Sequence, residues 1–260
     1  MRVFLACLLT CIWALPARAE KPSMQDAVSS KSRAIEIKIE IDRRLRGDKR
    51  LYDSILSEAK RISAERRKEA DKLFRQEKMM FRHGPWSFER DYFFDAEVGP
   101  YISASALEYS YSGGAHPNHR TTTILWDRKR GQRVSIAELF RETKPGGPTV
   151  TALAALIRED VAKEKRERDV PVAGDLAKDE WIAAIKSDLK TMGAPSLVAS
   201  KDRGKAAGLD FHFSPYDVGA YAEGAYLAYI PWQKLEPFLT DQARALFGGE
   251  PVEAIEKKEQ

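Results

Sequence analysis

Two of the chain's four histidines, His116 and His119, stand three residues apart in the stretch Ser112-Gly113-Gly114-Ala115-His116-Pro117-Asn118-His119. Imidazole can ligate a metal, move a proton or simply hydrogen-bond. The glycine pair lets backbone amides approach a partner closely, and Pro117 stiffens the exit from the turn. A plain turn has the same composition. Zinc needs three or four ligands and a defined second shell, and no third ligand lies nearby in sequence. Hydrogen-bonding imidazoles therefore fit this loop better than a metal centre. A second loaded stretch follows about a hundred residues later, where Tyr216, Tyr221 and Tyr226 alternate with Gly219 and Gly224. Such rings can stack on sugar faces or anchor a protein partner, and equally they can pack in a core with their hydroxyls satisfied.

The signatures of common enzymes fail. Ser57-Glu-Ala-Lys60 and Ser187-Asp-Leu-Lys190 match S-x-x-K, but both fall on charged stretches read as helices, and no K-T-G accompanies them. There is no G-x-S-x-G elbow, phosphate loop or dinucleotide fingerprint. A polysaccharide deacetylase would show T-x-D-D and histidines spaced i, i+4, whereas these are spaced i, i+3.

The elements that must position these loops can be read from periodicity. Tyr101 to Tyr111 has the β-branched and aromatic bias of a strand and stops at Ser112-Gly-Gly. Thr121 to Trp126 predicts an antiparallel partner, followed by the charged turn Asp127 to Gly131. Ser135-Ile-Ala-Glu138 has capping-box spacing, with Val134 and Leu139 placed to staple a short helix. Upstream, Ile35, Ile37, Ile39 and Ile41 alternate with charged residues, the period of a half-buried strand. Glu20 to Lys31 reads as a loose lead-in. Leu51 to Phe81 predicts a long amphipathic helix, ended by His83-Gly-Pro85, and Trp86 to Val98 returns to strand composition. Helices are predicted over Thr149 to Arg166 and Lys178 to Met192, then strands near Leu197, over Leu209 to Phe213 and over Tyr226 to Ile230. Trp232 to Phe247 reads as terminal helical turns. The sum is an α+β fold, an antiparallel sheet packed by helices. Its expected divisions are a leader (1–19), a strand-plus-long-helix lobe (20–98), a main α+β domain (99–247) and a polar tail (248–260).

Met1-Arg2, the apolar run Val3 to Leu15, Pro16 and the small-x-small Ala17-Arg-Ala19 have the form of an export signal cleaved near Ala19. Both cysteines, Cys7 and Cys11, fall in it, so the mature chain would lack disulfides and thiol chemistry and rely on its core. No later segment has the roughly 18 apolar residues of a membrane span. Apolar residues make up 43% of the chain and charged ones 32%, a globular balance. The formal charge is +4, and loss of Arg2 and Arg18 leaves 41 basic against 39 acidic residues, which argues against nucleic acid as a partner.

The run SGGAH, a strand, a D-x-x-x-G turn and Val134-Ser-Ile-Ala-Glu-Leu-Phe140, joined by Leu209-Asp-Phe-His-Phe-Ser-Pro-Tyr-Asp-Val-Gly-Ala-Tyr-Ala-Glu-Gly224 and Ile230-Pro-Trp232, resembles an extracytoplasmic domain-of-unknown-function family. That family includes the ectodomain of a lysozyme-sensing anti-sigma factor and a domain appended to peptidoglycan deacetylases. The resemblance covers about the last three fifths of the chain, and the N-terminal strand and helix resemble the smaller domain that often precedes it. It implies a periplasmic or secreted binding protein for peptidoglycan or a lysozyme-like protein, with Ser112, Gly113, Gly114, His116, Tyr216, Tyr221 and Glu223 at the contact surface and no cofactor. A metal-assisted hydrolase using His116 and His119, and a structural envelope protein with no specific ligand, stay open as alternatives.

Overall fold

The computed structural model describes residues 22–252. The expected leader and most of the polar tail lie outside them. A six-stranded sheet runs in chain order through β1 (Met24–Lys31), β2 (Ile35–Asp42), β3 (Trp86–Val98), β4 (Tyr101–Tyr111), β5 (Asn118–Asp127) and β6 (Gln132–Val134). Only the β2–β3 pair is parallel, because α1 (Lys49–Gln76) carries the chain back between them. A parallel neighbour needs such a crossover, whereas the antiparallel pairs close through short turns.

Alternation decides which face each strand buries. Ile35, Ile37, Ile39 and Ile41 all point to the helix side, with Phe88 and Tyr92 of β3 and Ala104 and Ala106 of β4. Against them α1 lays Leu51, Ile55 and Ala59, and Asp48 begins the helix by accepting from the Leu51 N–H. The expected long helix stops at Gln76 rather than Phe81. A separate 3-10 turn, Lys78–Phe81, tucks Phe81 under Trp86 with ring centroids 5.0 Å apart. The lead-in expected to be loose is strand β1, which pairs along β2 with a bulge between Asp26 and Val28. Its half-buried polar run, MQDAVSSK, carries little alternation to announce it.

The second layer is a three-stranded antiparallel sheet, β7 (Ala194–Ala199), β8 (Ala206–Phe213) and β9 (Tyr226–Pro231), with α2 (Pro148–Glu167) packed beside it. Leu209, Phe211 and Phe213 bury against Leu153, Ile157 and Val161 of α2, as their spacing predicts. Two short helices, α3 (Trp232–Leu235) and α4 (Asp241–Arg244), follow β9. The α+β class is as expected. The boundary expected at residue 98 falls in the turn of the β3–β4 hairpin, so one sheet runs through it. Two apolar clusters, one drawn from residues 34–126 and one from 96–247, meet across that sheet.

Two local expectations need correcting. Residues 178–192 form no continuous helix but two 3-10 turns, Ile182–Ala184 and Leu189–Thr191. Asp179 accepts from the N–H groups of Ala173, Trp181 and Ile182, and Asp188 from that of Lys190. Side chains that bind nearby amides in this way compete with the helical ladder. In the tail, Pro251 bridges to Ser200, and the Val252 N–H donates to the Ala199 carbonyl at 3.0 Å. Order therefore extends past the expected start of the tail at residue 248.

Candidate functional site

The β4–β5 loop and the β8–β9 loop, about a hundred residues apart in sequence, meet. His116 stacks on Tyr221 with ring centroids 3.6 Å apart and planes 21° from parallel. Tyr216 closes the group, 6.2 Å from the His116 centroid and 5.7 Å from that of Tyr221. Its hydroxyl lies 3.2 Å from His116 Nε2, while Nδ1 of the same ring lies 2.9 Å from the Pro117 carbonyl. A carbonyl only accepts, so Nδ1 carries a proton, and Nε2 pairs with the Tyr216 hydroxyl. Both ring nitrogens are then engaged within the protein.

The β8–β9 loop is held from beneath. Val218 and Gly219 are buried, and the Tyr221–Glu223 turn is closed by the Ala220 N–H donating to Glu223 Oε1 at 2.8 Å. The other oxygen of Glu223 accepts from Lys165 Nζ at 2.5 Å and from the Tyr226 hydroxyl at 2.6 Å. Lys165 comes from α2 and is only 2% exposed. Burial alone would raise the Glu223 carboxyl, but Lys165, Tyr226 and the Ala220 amide outweigh it and hold the group below its usual range. Burial and the Glu223 charge push the Tyr226 hydroxyl upward. Arg168 adds its guanidinium over the Tyr226 ring at 4.4 Å. Glu223, expected at the contact surface, thus turns its carboxylate inward as a brace. Tyr226 belongs to the core, and Tyr216 and Tyr221 remain at the surface.

Tyr216 is 53% exposed and its backbone takes φ = 76°, a left-handed conformation that bulky side chains rarely adopt. The Tyr216 N–H donates to the Gly219 carbonyl at 3.1 Å, which fixes that turn. On the opposing loop Ser112, Gly113 and Gly114 are exposed. Gly113 has φ = 85°, and a Cβ there would stand 3.1 Å from the Met80 carbonyl, so this loop rests on the 3-10 turn that follows α1.

Beside the aromatic group opens a polar cleft of about 780 Å³. Its walls are β5 from Asn118 to Thr123, the stretch Lys190 to Ala194, and His212 to Pro215 with Asp217. His212 reaches Ser196 through Nε2 at 2.8 Å, and Ser214 accepts from the Thr121 N–H at 3.1 Å. His119 packs edge-on against Tyr109 at 5.2 Å rather than joining His116. Among the described residues no group of three or more His, Cys, Asp or Glu converges as a metal-ligand set. Sequence reasoning missed the cleft. The threonine run Thr121 to Thr123 reads as strand composition alone, and Lys190 was assigned to a helix that does not form.

Residues 17–119 match the family model described as Deacetylase PdaC. Over nearly its whole length the fold is similar to two solved structures: a DUF3298 family protein from Pseudomonas aeruginosa PAO1 (TM-score 0.52, 13% identity, covering 91% of this chain and 99% of that one) and a DUF3298 family member from Bacteroides fragilis NCTC 9343 (TM-score 0.52, 13% identity, covering 86% and 96%). This chain resembles the PdaC and DUF3298 proteins. No curated protein matches it. The PdaC match covers β1 to the start of β5 and so takes in the His116 loop, whereas the tyrosine loop falls in the part where the likeness to DUF3298 proteins is one of fold. Among the described residues no helix is long and apolar enough to cross a membrane.

Proposed function

We propose that this chain is an exported cell-envelope binding protein that recognises peptidoglycan through the surface formed by His116, Tyr216 and Tyr221. The observation that carries this reading is the convergence of two distant loops into one aromatic group, with Tyr216 exposed, whose sequence neighbours line a polar cleft. Flat amphipathic rings beside a concave surface rich in hydroxyl and amide groups suit a sugar chain, which offers one apolar face and a rim of hydroxyls. Export is supported by the form of residues 1–19, and an envelope setting by the resemblance to deacetylase-associated domains.

Deacetylation fits these residues less well. Both nitrogens of His116 are engaged, His119 faces Tyr109, and among the described residues no third ligand completes a set with them. The test is co-sedimentation of the purified chain with insoluble peptidoglycan, in parallel with capture on immobilised lysozyme, for the parent and for His116→Ala and Tyr221→Ala. The parent should sediment, and each variant should lose about tenfold in affinity while melting normally. Capture by lysozyme without sedimentation would replace the glycan by a protein partner. Capture by neither would overturn the proposal.

A further inference from the structure

The cleft lined by the neighbours of the aromatic group has a chemistry of its own. Each loop contributes to both places. Asn118 and His119 line the cleft immediately after His116 and Pro117, and Pro215 and Asp217 line it on either side of Tyr216. A chain stacked on Tyr221 would therefore lead directly into the cleft. Of the charged groups there, Glu108 is held by Arg90 at 2.8 Å and by Arg66 at 3.3 Å, and its cross-strand neighbour Arg120 has no ion pair among the described residues. Lys190 has none either. Its nearest acid in sequence, Asp188, accepts from the Lys190 backbone N–H rather than pairing with the ammonium group. Asp217, the remaining acid, accepts from the Ser214 N–H at 2.7 Å and so braces the turn. The cleft thus offers two exposed cations, Lys190 and, across the strand from Glu108, Arg120, that form no ion pair among the described residues and stand beside the hydroxyls of Thr121 and Thr123.

We propose that this cleft binds the carboxylate-bearing substituent of an envelope glycan, with Lys190 and Arg120 as its counter-ions, while the His116–Tyr216–Tyr221 group holds the neighbouring sugar. The inference rests on the glycan reading above and adds that the ligand must be acidic. An ammonium and a guanidinium recognise carboxylate by charge-assisted hydrogen bonds, and at exposed positions that attraction is screened by salt. The carboxylate can come from an acidic ether on the sugar or from an attached peptide, and the two sources are separable.

The experiment compares the affinities of the full mature chain for three soluble probes: a neutral N-acetylglucosamine tetramer, a muramic-acid-containing oligomer without peptide, and the same oligomer with its peptide. Each is measured at low salt and at 0.5 M sodium chloride, a concentration at which the screening length falls to about 4 Å. The acidic probes should bind about tenfold tighter than the neutral one at low salt and lose that advantage in high salt. Lys190→Glu and Arg120→Glu should each remove most of the advantage, lower the acidic probes' affinity far more than the neutral probe's and preserve the thermal midpoint. A gain only with the peptide-bearing probe identifies the peptide as the source, and a gain with both identifies the sugar acid. Equal affinity for neutral and acidic probes would overturn this inference and leave the glycan reading standing. Binding of none of the three would overturn both.

Discussion

The two loops that build the aromatic group are held by unlike means. The His116 loop is local: a glycine turn resting on the Met80 carbonyl, with its imidazole bonded to the carbonyl of the next residue. The Tyr221 loop is braced from a distance, by a lysine of α2 that reaches Glu223 under the turn. The glycine turn and the His116–Pro117 contact of the first can be read from a few consecutive residues, though not its seat on Met80. The second depends on a pair 58 residues apart in sequence and leaves no local signature. The contrast shows that a presenting surface can be legible while the support that fixes it is not.

The contrast is broken most sharply at Lys165. Lys165→Met should strand the Glu223 carboxylate in a mostly buried site and cost about 3 kcal/mol, read as a lowered urea midpoint, with loss of peptidoglycan binding. An unchanged midpoint would show that the brace carries no weight. Next is Gly219→Ala, whose added Cβ would stand 2.5 Å from Glu223 Oε2 and 2.9 Å from the Tyr226 ring, with an expected cost of about 2 kcal/mol. Its counterpart Gly114→Ala meets only the His116 carbonyl at 3.9 Å and should cost less than about 0.5 kcal/mol. Equal costs at the two glycines would erase the distinction between the loops.

Below the effects at Lys165 and Gly219 comes a titration away from both loops. Burial, with the Glu40 charge beside it, raises the Asp91 carboxyl to about 6. The folded chain then binds that proton more tightly than the unfolded chain does. Asp91 should therefore favour the fold at low pH and lose that contribution as pH rises from about 4 through 6. Asp91→Asn should flatten the dependence and add up to about 1 kcal/mol at pH 7. A stability profile that stays steep in the variant would assign the dependence to another group. Neither loop should respond, so glycan binding by Asp91→Asn serves as the control for the first two variants.

Much of the fold was legible because period and composition agreed. Ile35 to Ile41 and Leu209 to Phe213 alternate, Tyr101 to Tyr111 has strand composition, and all three are strands. Where the residues are polar or the periodicity misled, the reading failed. β1 has no apolar face strong enough to announce it, and Trp181, Ile182, Ile185 and Leu189 have helical spacing but sit between aspartates that bind the backbone instead. Motif and ring chemistry single out His116, Tyr216 and Tyr221 as candidates, and the fold brings the three rings together. The inward role of Glu223 depends on Lys165, and the cleft depends on two sheets crossing, so neither is local to any stretch of sequence.

Tyr216 carries a further consequence. Its left-handed backbone is one that glycine adopts freely and tyrosine does not. Tyr216→Gly should therefore gain about 1 kcal/mol while removing the most exposed ring of the group. Selection for heat tolerance alone would discard this side chain early, and its retention in a chain under pressure to survive warming would itself report that the ring is in use.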